Sequence, residues 1–353
     1  MGISERILEI AARLVETPTP TGREEALLPY LRGLLEGCGF SVEEQEISRG
    51  GYNLLASRGE SPLLLLAHID TFPAYTHPEP YKFRREGDLL IGRGIVDVKG
   101  QMAALISAVK ACDLPCQIAL VADEERSGTG SEELEVEAEA AVVLEPTKLH
   151  PAPVQAGALE LAIIVYGKAA HGSVPHRGEN AIMKAFKLIK ALEDLPFLKT
   201  RHPLFEGELL TVGAIRGGFE PLVVPSFCRL ELDLRLLPGI MPERALRELR
   251  ELLGRFDAEL ILSEADPPIE VSQDEQIFKL LSRAIEEALG EARPPVGMPS
   301  WTDAANLVDK GIPAVVFGAG DLAAAHSDFE HVSLEELERL TRVLIRLLEL
   351  YSL

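Results

Sequence analysis

Three continuous apolar runs constrain this chain most: LLLLA at 63–67, IALVA at 118–122 and AAVVL at 140–144. Strands that are apolar on both faces must be covered on both faces, as in a parallel sheet lying between helix layers. The stretch 98–111, VKGQMAALISAVKA, is Ala-rich and helical in period, so it supplies one such cover. An α/β layer architecture follows.

The middle of the chain has a different rhythm. Leu159–Tyr166 reads as a strand, Ala181–Leu195 as a helix, and Glu208–Arg216 and Phe227–Leu236 as strands. Pro242–Phe256 follows as a helix with proline at its start, then Ala258–Leu262 as a strand. The order β-α-β-β-α-β is that of an α+β, ferredoxin-like split sandwich. Beyond it the α/β pattern resumes with a helix near Gln276–Leu289, a strand at Ala314–Gly318 and a last helix over Leu334–Tyr351. Proline clusters at 151–153 and 267–268 mark the crossings. The reading is one domain of residues 1–154 and 267–353, interrupted by an inserted domain of residues 155–266. The N-terminal MGISERILEIAARL reads as an amphipathic helix capped near Ser4.

Charge narrows the partners. The 353 residues carry a formal net charge of −21. A surface of that sign repels phosphate backbones and anionic lipid, so neither nucleic acid nor membrane is expected as a partner. No apolar run approaches the ~18 residues of a span, and the N-terminus lacks the pattern of a signal peptide. Cys38, Cys112, Cys116 and Cys228 are too sparse for a disulfide scaffold. They read as buried free thiols of a cytoplasmic protein.

All three apolar runs end in polar residues. LLLLA runs into His68-Ile69-Asp70, IALVA into Asp123-Glu124-Glu125, and AAVVL into Glu145-Pro146-Thr147. Open α/β sheets bind ligands outside the carboxyl ends of their strands, so these residues converge on one edge. Asp97, just before the Ala-rich helix, and His326, after the last strand, join them. So many carboxylates cannot share a cleft and stay ionised without counter-charge. Three carboxylates and a hydroxide balance two Zn²⁺, and histidine nitrogen with carboxylate oxygen is a standard zinc donor set. Taken singly, each residue has a plainer reading: His68 an ordinary strand end, Glu124-Glu125 a solvated loop, Asp97 a helix cap.

With these segments in view the chain resembles the co-catalytic zinc aminoacylases and exopeptidases, the family of acetylornithine deacetylase, succinyl-diaminopimelate desuccinylase and glutamate carboxypeptidase. The resemblance rests on LLLLAHIDTFP, GRGIVDVKGQMAA, VADEERSGTGS, LEPT, AAHGSVPHRGENAI, DLRLLPG, WTDAANL, GIPAVVFGAG and AHSDFEHVSLEEL, which follow one another in family order across nearly the whole chain. It implies a zinc-exopeptidase-like, mostly parallel sheet flanked by helices, with the inserted domain acting as lid and dimer interface. It also implies two Zn²⁺ per subunit, with Co²⁺ or Mn²⁺ as substitutes. His68, Asp97 and Glu145 would hold one ion; Asp97, Glu125 and His326 would hold the other. Asp70 would orient His68, and Glu124 would be the general base. His171 would reach the partner subunit's site and stabilise the oxyanion, unless it is an ordinary surface residue. Arg235 would grip a substrate carboxylate, unless it is tied up in a cross-strand ion pair, for example with Asp233 or Glu231. Pro299-Ser300-Trp301 stands where subfamilies often carry glycines before the Thr302-Asp303 pair.

The expectation is a cytoplasmic, homodimeric amidohydrolase acting on an N-acyl amino acid, a deacylase of the acetylornithine type in amino-acid biosynthesis. A dipeptidase or carboxypeptidase-like exopeptidase is the alternative. A non-catalytic amino-acid-binding relative is a remote third.

Overall fold

Leu63–His68, Cys116–Val121 and Ala140–Val143 form strands, and all their residues but the half-buried Gln117 are buried. Each fully buried leucine here contributes about 2 kcal/mol. In this computed structural model, which describes residues 2–75, 77–207 and 209–352, these strands pair in parallel. Ala314–Val316 extends the parallel set beside Ala140–Val143. The sheet has six strands, and its other edge is antiparallel: Tyr52–Arg58 pairs with Cys116–Val121, and Ser41–Glu46 pairs with Tyr52–Arg58. The sequence SVEEQE of the outermost strand is exposed and acidic, which protects a sheet edge from further pairing.

The helix Gly100–Ala111 is buried almost all round, and its small residues allow close approach by the helices Ile3–Glu16 and Leu334–Tyr351. The first of these starts at Gly2, not near Ser4; the Ser4 hydroxyl instead donates to Glu338. The last begins at Ser333, whose hydroxyl accepts the Glu336 N–H at 3.2 Å, with Glu335 and Glu336 in the first turn. All four cysteines are free. Among the described residues, no helix is long and apolar enough to cross a membrane.

The chain divides into two compact units. One comprises Met1–Pro153, Val271–Val296 and Thr302–Leu353; the other comprises Val154–Glu270 and Gly297–Trp301. The sequence groups 297–301 with the α/β part. In the structure Gly297–Met298 pairs in parallel with Val154–Gln155, and that ladder takes the segment into the other unit.

Within the second unit, the strands Gly157–Tyr166, Leu210–Gly217, Phe227–Leu236 and Ala258–Asp266 alternate with the helices Ala181–Leu192 and Pro242–Leu253. Glu208, expected to open the second strand, lies outside the described residues. The pairings among these four strands are antiparallel, and Phe227–Leu236 lies between Leu210–Gly217 and Gly157–Tyr166. Period two puts Leu159, Leu161, Ile163 and Val165 in one core with Leu230, Leu232, Leu234 and Leu236. The last strand runs four residues beyond the Ala258–Leu262 signal, because a register shift between Leu262 and Glu264 lets pairing continue.

Candidate metal centre

Parallel register sets the edge on which the polar residues gather. His68 lies opposite Val121, and Leu66 lies opposite Val143, so the three strands finish together. The loop after Val121 carries Asp123 to Glu125, and the loop after Val143 carries Glu145. Asp97 sits in the irregular turn Ile95–Lys99 that leads into helix Gly100–Ala111. His326 follows the strand Ala314–Val316 and has a left-handed backbone at φ 59°. Such a conformation costs a non-glycine residue about 1–3 kcal/mol and concentrates at functional sites. Gly318 makes the packing behind Glu145 possible: a Cβ there would lie 1.7 Å from Gln101 Oε1 and 2.6 Å from the Glu145 carbonyl oxygen.

Two donor groups result, His68 with Asp97 and Glu145, and Asp97 with Glu125 and His326. His68 Nε2 lies 3.1 Å from Asp97 Oδ1 and 3.7 Å from Glu145 Oε1. His326 Nε2 lies 3.3 Å from Asp97 Oδ2 and 3.0 Å from Glu125 Oε2. Thus the two oxygens of Asp97 face different histidines. Donors about 2.0–2.1 Å from a tetrahedral zinc stand roughly 3.4 Å apart, and these separations cluster around that value.

The surroundings hold these donors in place. His68 Nδ1 lies 3.0 Å from the Asp70 carbonyl oxygen, which accepts its proton and leaves Nε2 to face the carboxylates. Asp70 is buried, and its Oδ1 and Oδ2 accept the backbone N–H groups of Glu124 (3.2 Å) and Glu125 (3.1 Å). Thr21 Oγ1 also donates to Asp70 Oδ2 at 2.8 Å. Asp70 therefore orients the histidine through its carbonyl oxygen and both neighbouring glutamates through its side chain.

Phe72 was not singled out by the sequence. Its N–H donates to Glu125 Oε1 at 2.7 Å, and its ring stacks on His326 with centroids 4.0 Å apart. Asp303 was seen only as part of the WTDAANL segment. It is fully buried, accepts the Ser131 hydroxyl at 2.5 Å, and is pushed up to about 7 by burial and by the charges of Asp70 and Asp123, against that hydrogen bond and His68.

Electrostatics show what the cluster lacks. Burial, with neighbouring carboxylates, raises Glu145, Glu124 and Glu125 above the ordinary carboxylate range. Burial alone would lower the histidines. Hydrogen bonds to Asp97 and Glu125 outweigh it at His326 and carry that residue to about 10, while Asp70 and Asp97 do the same for His68 and raise it well above its usual value. Bare, the site fills with protons; two divalent cations supply the same charge, and the donor types and spacings fit them. Glu124 belongs to neither donor group, yet it feels the charges of His68, Glu145 and Glu125.

A linkage follows with a definite sign. Ligation requires neutral imidazole and ionised carboxylate, so ion uptake at pH 7 expels protons. Affinity should rise with pH from neutrality and level off near the value of about 10 reached by His326. Calorimetric titration in two buffers of different ionisation enthalpy should show net proton release; uptake independent of buffer would contradict it.

The other two expected residues lie in the second unit. His171 is exposed on a turn, where its Nδ1 accepts the Ser173 hydroxyl at 2.8 Å. Arg235 does make an ion pair, with Asp233 two residues back on the same strand; Nη2 and Nε donate to Asp233 Oδ2 at 2.9 and 3.2 Å. Glu231, the other partner considered, takes Arg229.

Residues 64–350 match the model of peptidase family M20/M25/M40. The chain belongs to this family. An acetylornithine deacetylase from Myxococcus xanthus is 34% identical over 352 residues, covering 91% of this chain and 90% of that one. The fold is shared with a tripeptidase from Staphylococcus aureus at TM-score 0.83 and 20% identity, covering 99% of this chain and 98% of that one. It is shared too with a dinuclear metal-binding M20 peptidase from Bacillus subtilis at TM-score 0.69 and 16% identity, covering 99% and 98%. Like its family, this M20 chain is a metal-dependent hydrolase of amide bonds.

Proposed function

We propose that this M20 protein is a dinuclear zinc deacylase that hydrolyses the amide of an N-acyl α-amino acid of the acetylornithine type, in a cytoplasmic homodimer serving amino-acid biosynthesis. The observation that carries this reading is the pair of donor groups sharing Asp97, with Glu124 beside both and in neither. The curated acetylornithine deacetylase matched over nine-tenths of the chain supports the substrate class. The four free thiols suit a reducing compartment.

His68, Asp97 and Glu145 hold one ion in this reading, and Asp97, Glu125 and His326 the other. When bound, such ions polarise a carbonyl oxygen and make water a better nucleophile near neutral pH. The Glu124 carboxylate takes a proton from the attacking water and returns it to the leaving nitrogen, so the amide and water become a carboxylic acid and an amine. Asp70 keeps that division of labour by holding both N–H groups of the Glu124-Glu125 pair. His171 is assigned to the partner subunit's oxyanion. Arg235 is assigned to the substrate carboxylate, which must then displace Asp233 from its guanidinium fork.

A hydrolysis panel tests the substrate assignment. Acetyl-ornithine, acetyl-lysine, succinyl-diaminopimelate and several dipeptides are compared with Zn²⁺, Co²⁺ and Mn²⁺. The expected order puts an acyl amino acid first by kcat/KM. Faster cleavage of dipeptides would replace the deacylase reading with an exopeptidase one.

A further inference from the structure

Val96, the residue before Asp97, has both of its peptide groups gripped by buried side chains. Its N–H donates to Glu330 Oε1 at 3.2 Å, and its carbonyl accepts from Gln101 Nε2 at 3.1 Å. Glu330 in turn receives Arg93 Nη1 at 2.8 Å, with the two side chains only 1% and 2% exposed. The other arm of the fork, Arg93 Nη2, donates to the His326 carbonyl oxygen at 3.4 Å. One ion pair, formed between residues 237 apart in sequence, therefore ties down the turn that carries Asp97 and the loop that carries His326. His68 and Glu145 are delivered differently, by strand ends of the central sheet.

We propose that Arg93 and Glu330 are positioning residues for the second metal site, the one formed by Asp97, Glu125 and His326, and that they set its affinity more strongly than that of the His68 site, with which it shares only Asp97. The assignment rests on the two-metal reading above. Its physical basis is that a buried ion pair has one good geometry. An arginine fork reaching two acceptors transmits that geometry to the backbone on both sides. His326 needs such support because its backbone is left-handed.

The test uses stepwise Co²⁺ titration followed by calorimetry and by the visible spectrum, with His326→Ala marking which step belongs to the second site. Arg93→Lys keeps the charge and gives up one arm of the fork. The double variant Arg93→Met/Glu330→Leu removes both charges without stranding either. In both, the first step should stay within about threefold of wild type while the second weakens by about 10–100-fold, the usual worth of such outer partners. High Co²⁺ should restore hydrolysis. Unchanged steps, equal weakening of both steps, or failure of both variants to fold with a cooperative thermal transition would each overturn the assignment. A wild-type chain that takes up one ion only would instead remove the two-metal reading, and this inference with it.

Discussion

Glu124→Gln should leave two ions bound and substrate affinity near wild type while lowering kcat by ~10²–10⁴-fold, the loss typical of a positioned general acid/base. Gln has nearly the shape of Glu and preserves the backbone N–H to Asp70. It cannot take the proton from water. Its neighbour makes the control. Glu125 Oε2 lies 3.0 Å from His326 Nε2, inside the second donor group. Glu125→Gln replaces an anionic donor with a neutral one and should cost the second ion first, with the rate loss partly recovered at high metal. Measuring metal content and kcat on both variants separates the roles. If Glu124→Gln strips an ion while Glu125→Gln keeps both, the two assignments are reversed. If neither slows hydrolysis tenfold, the mechanism fails.

Asp97→Asn should be the most damaging change to metal binding. The two carboxylate oxygens face different histidines, Oδ1 toward His68 at 3.1 Å and Oδ2 toward His326 at 3.3 Å. An amide offers one oxygen and one NH₂, so whichever way it flips, one site meets a donor where it needs an acceptor. The loss should exceed the ~10–100-fold that outer partners are worth, with one ion lost outright and hydrolysis lost with it. Removing the ions from wild type with a chelator should have the same effect on activity. The fold should survive both treatments, because the core around Leu63–Leu66 and helix Gly100–Ala111 owes nothing to the ions. Far-UV circular dichroism, a melting curve and metal analysis check this. An Asp97→Asn protein holding two ions with wild-type affinity would refute a shared ligand.

The parts legible from the residues alone were those governed by local pattern. LLLLA, IALVA and AAVVL read as buried strands, because short runs apolar on both faces suit a sheet covered on both sides. Their polar ends therefore had to share an edge, and once they did, charge balance required cations. His68, Glu124, Glu125 and Glu145 were visible on that ground. The alternating apolar residues of 159–165 and 230–236 likewise disclosed the second unit's antiparallel sheet.

Tertiary structure decided what depends on partners distant in sequence. The antiparallel edge was hidden because SVEEQE has no apolar signal; its pairing with Tyr52–Arg58 is made by backbone hydrogen bonds, which composition does not encode. Segment 297–301 joined the second unit through a two-residue ladder too short to leave a pattern. Phe72 became a support for Glu125 and His326 only when the fold brought its N–H onto a glutamate 53 positions further along the chain. Arg93 and Glu330 are two ordinary charges until burial removes water and brings them together as an ion pair. Residue type and local period thus determined which groups could carry the chemistry, while long-range packing determined how firmly each is aimed.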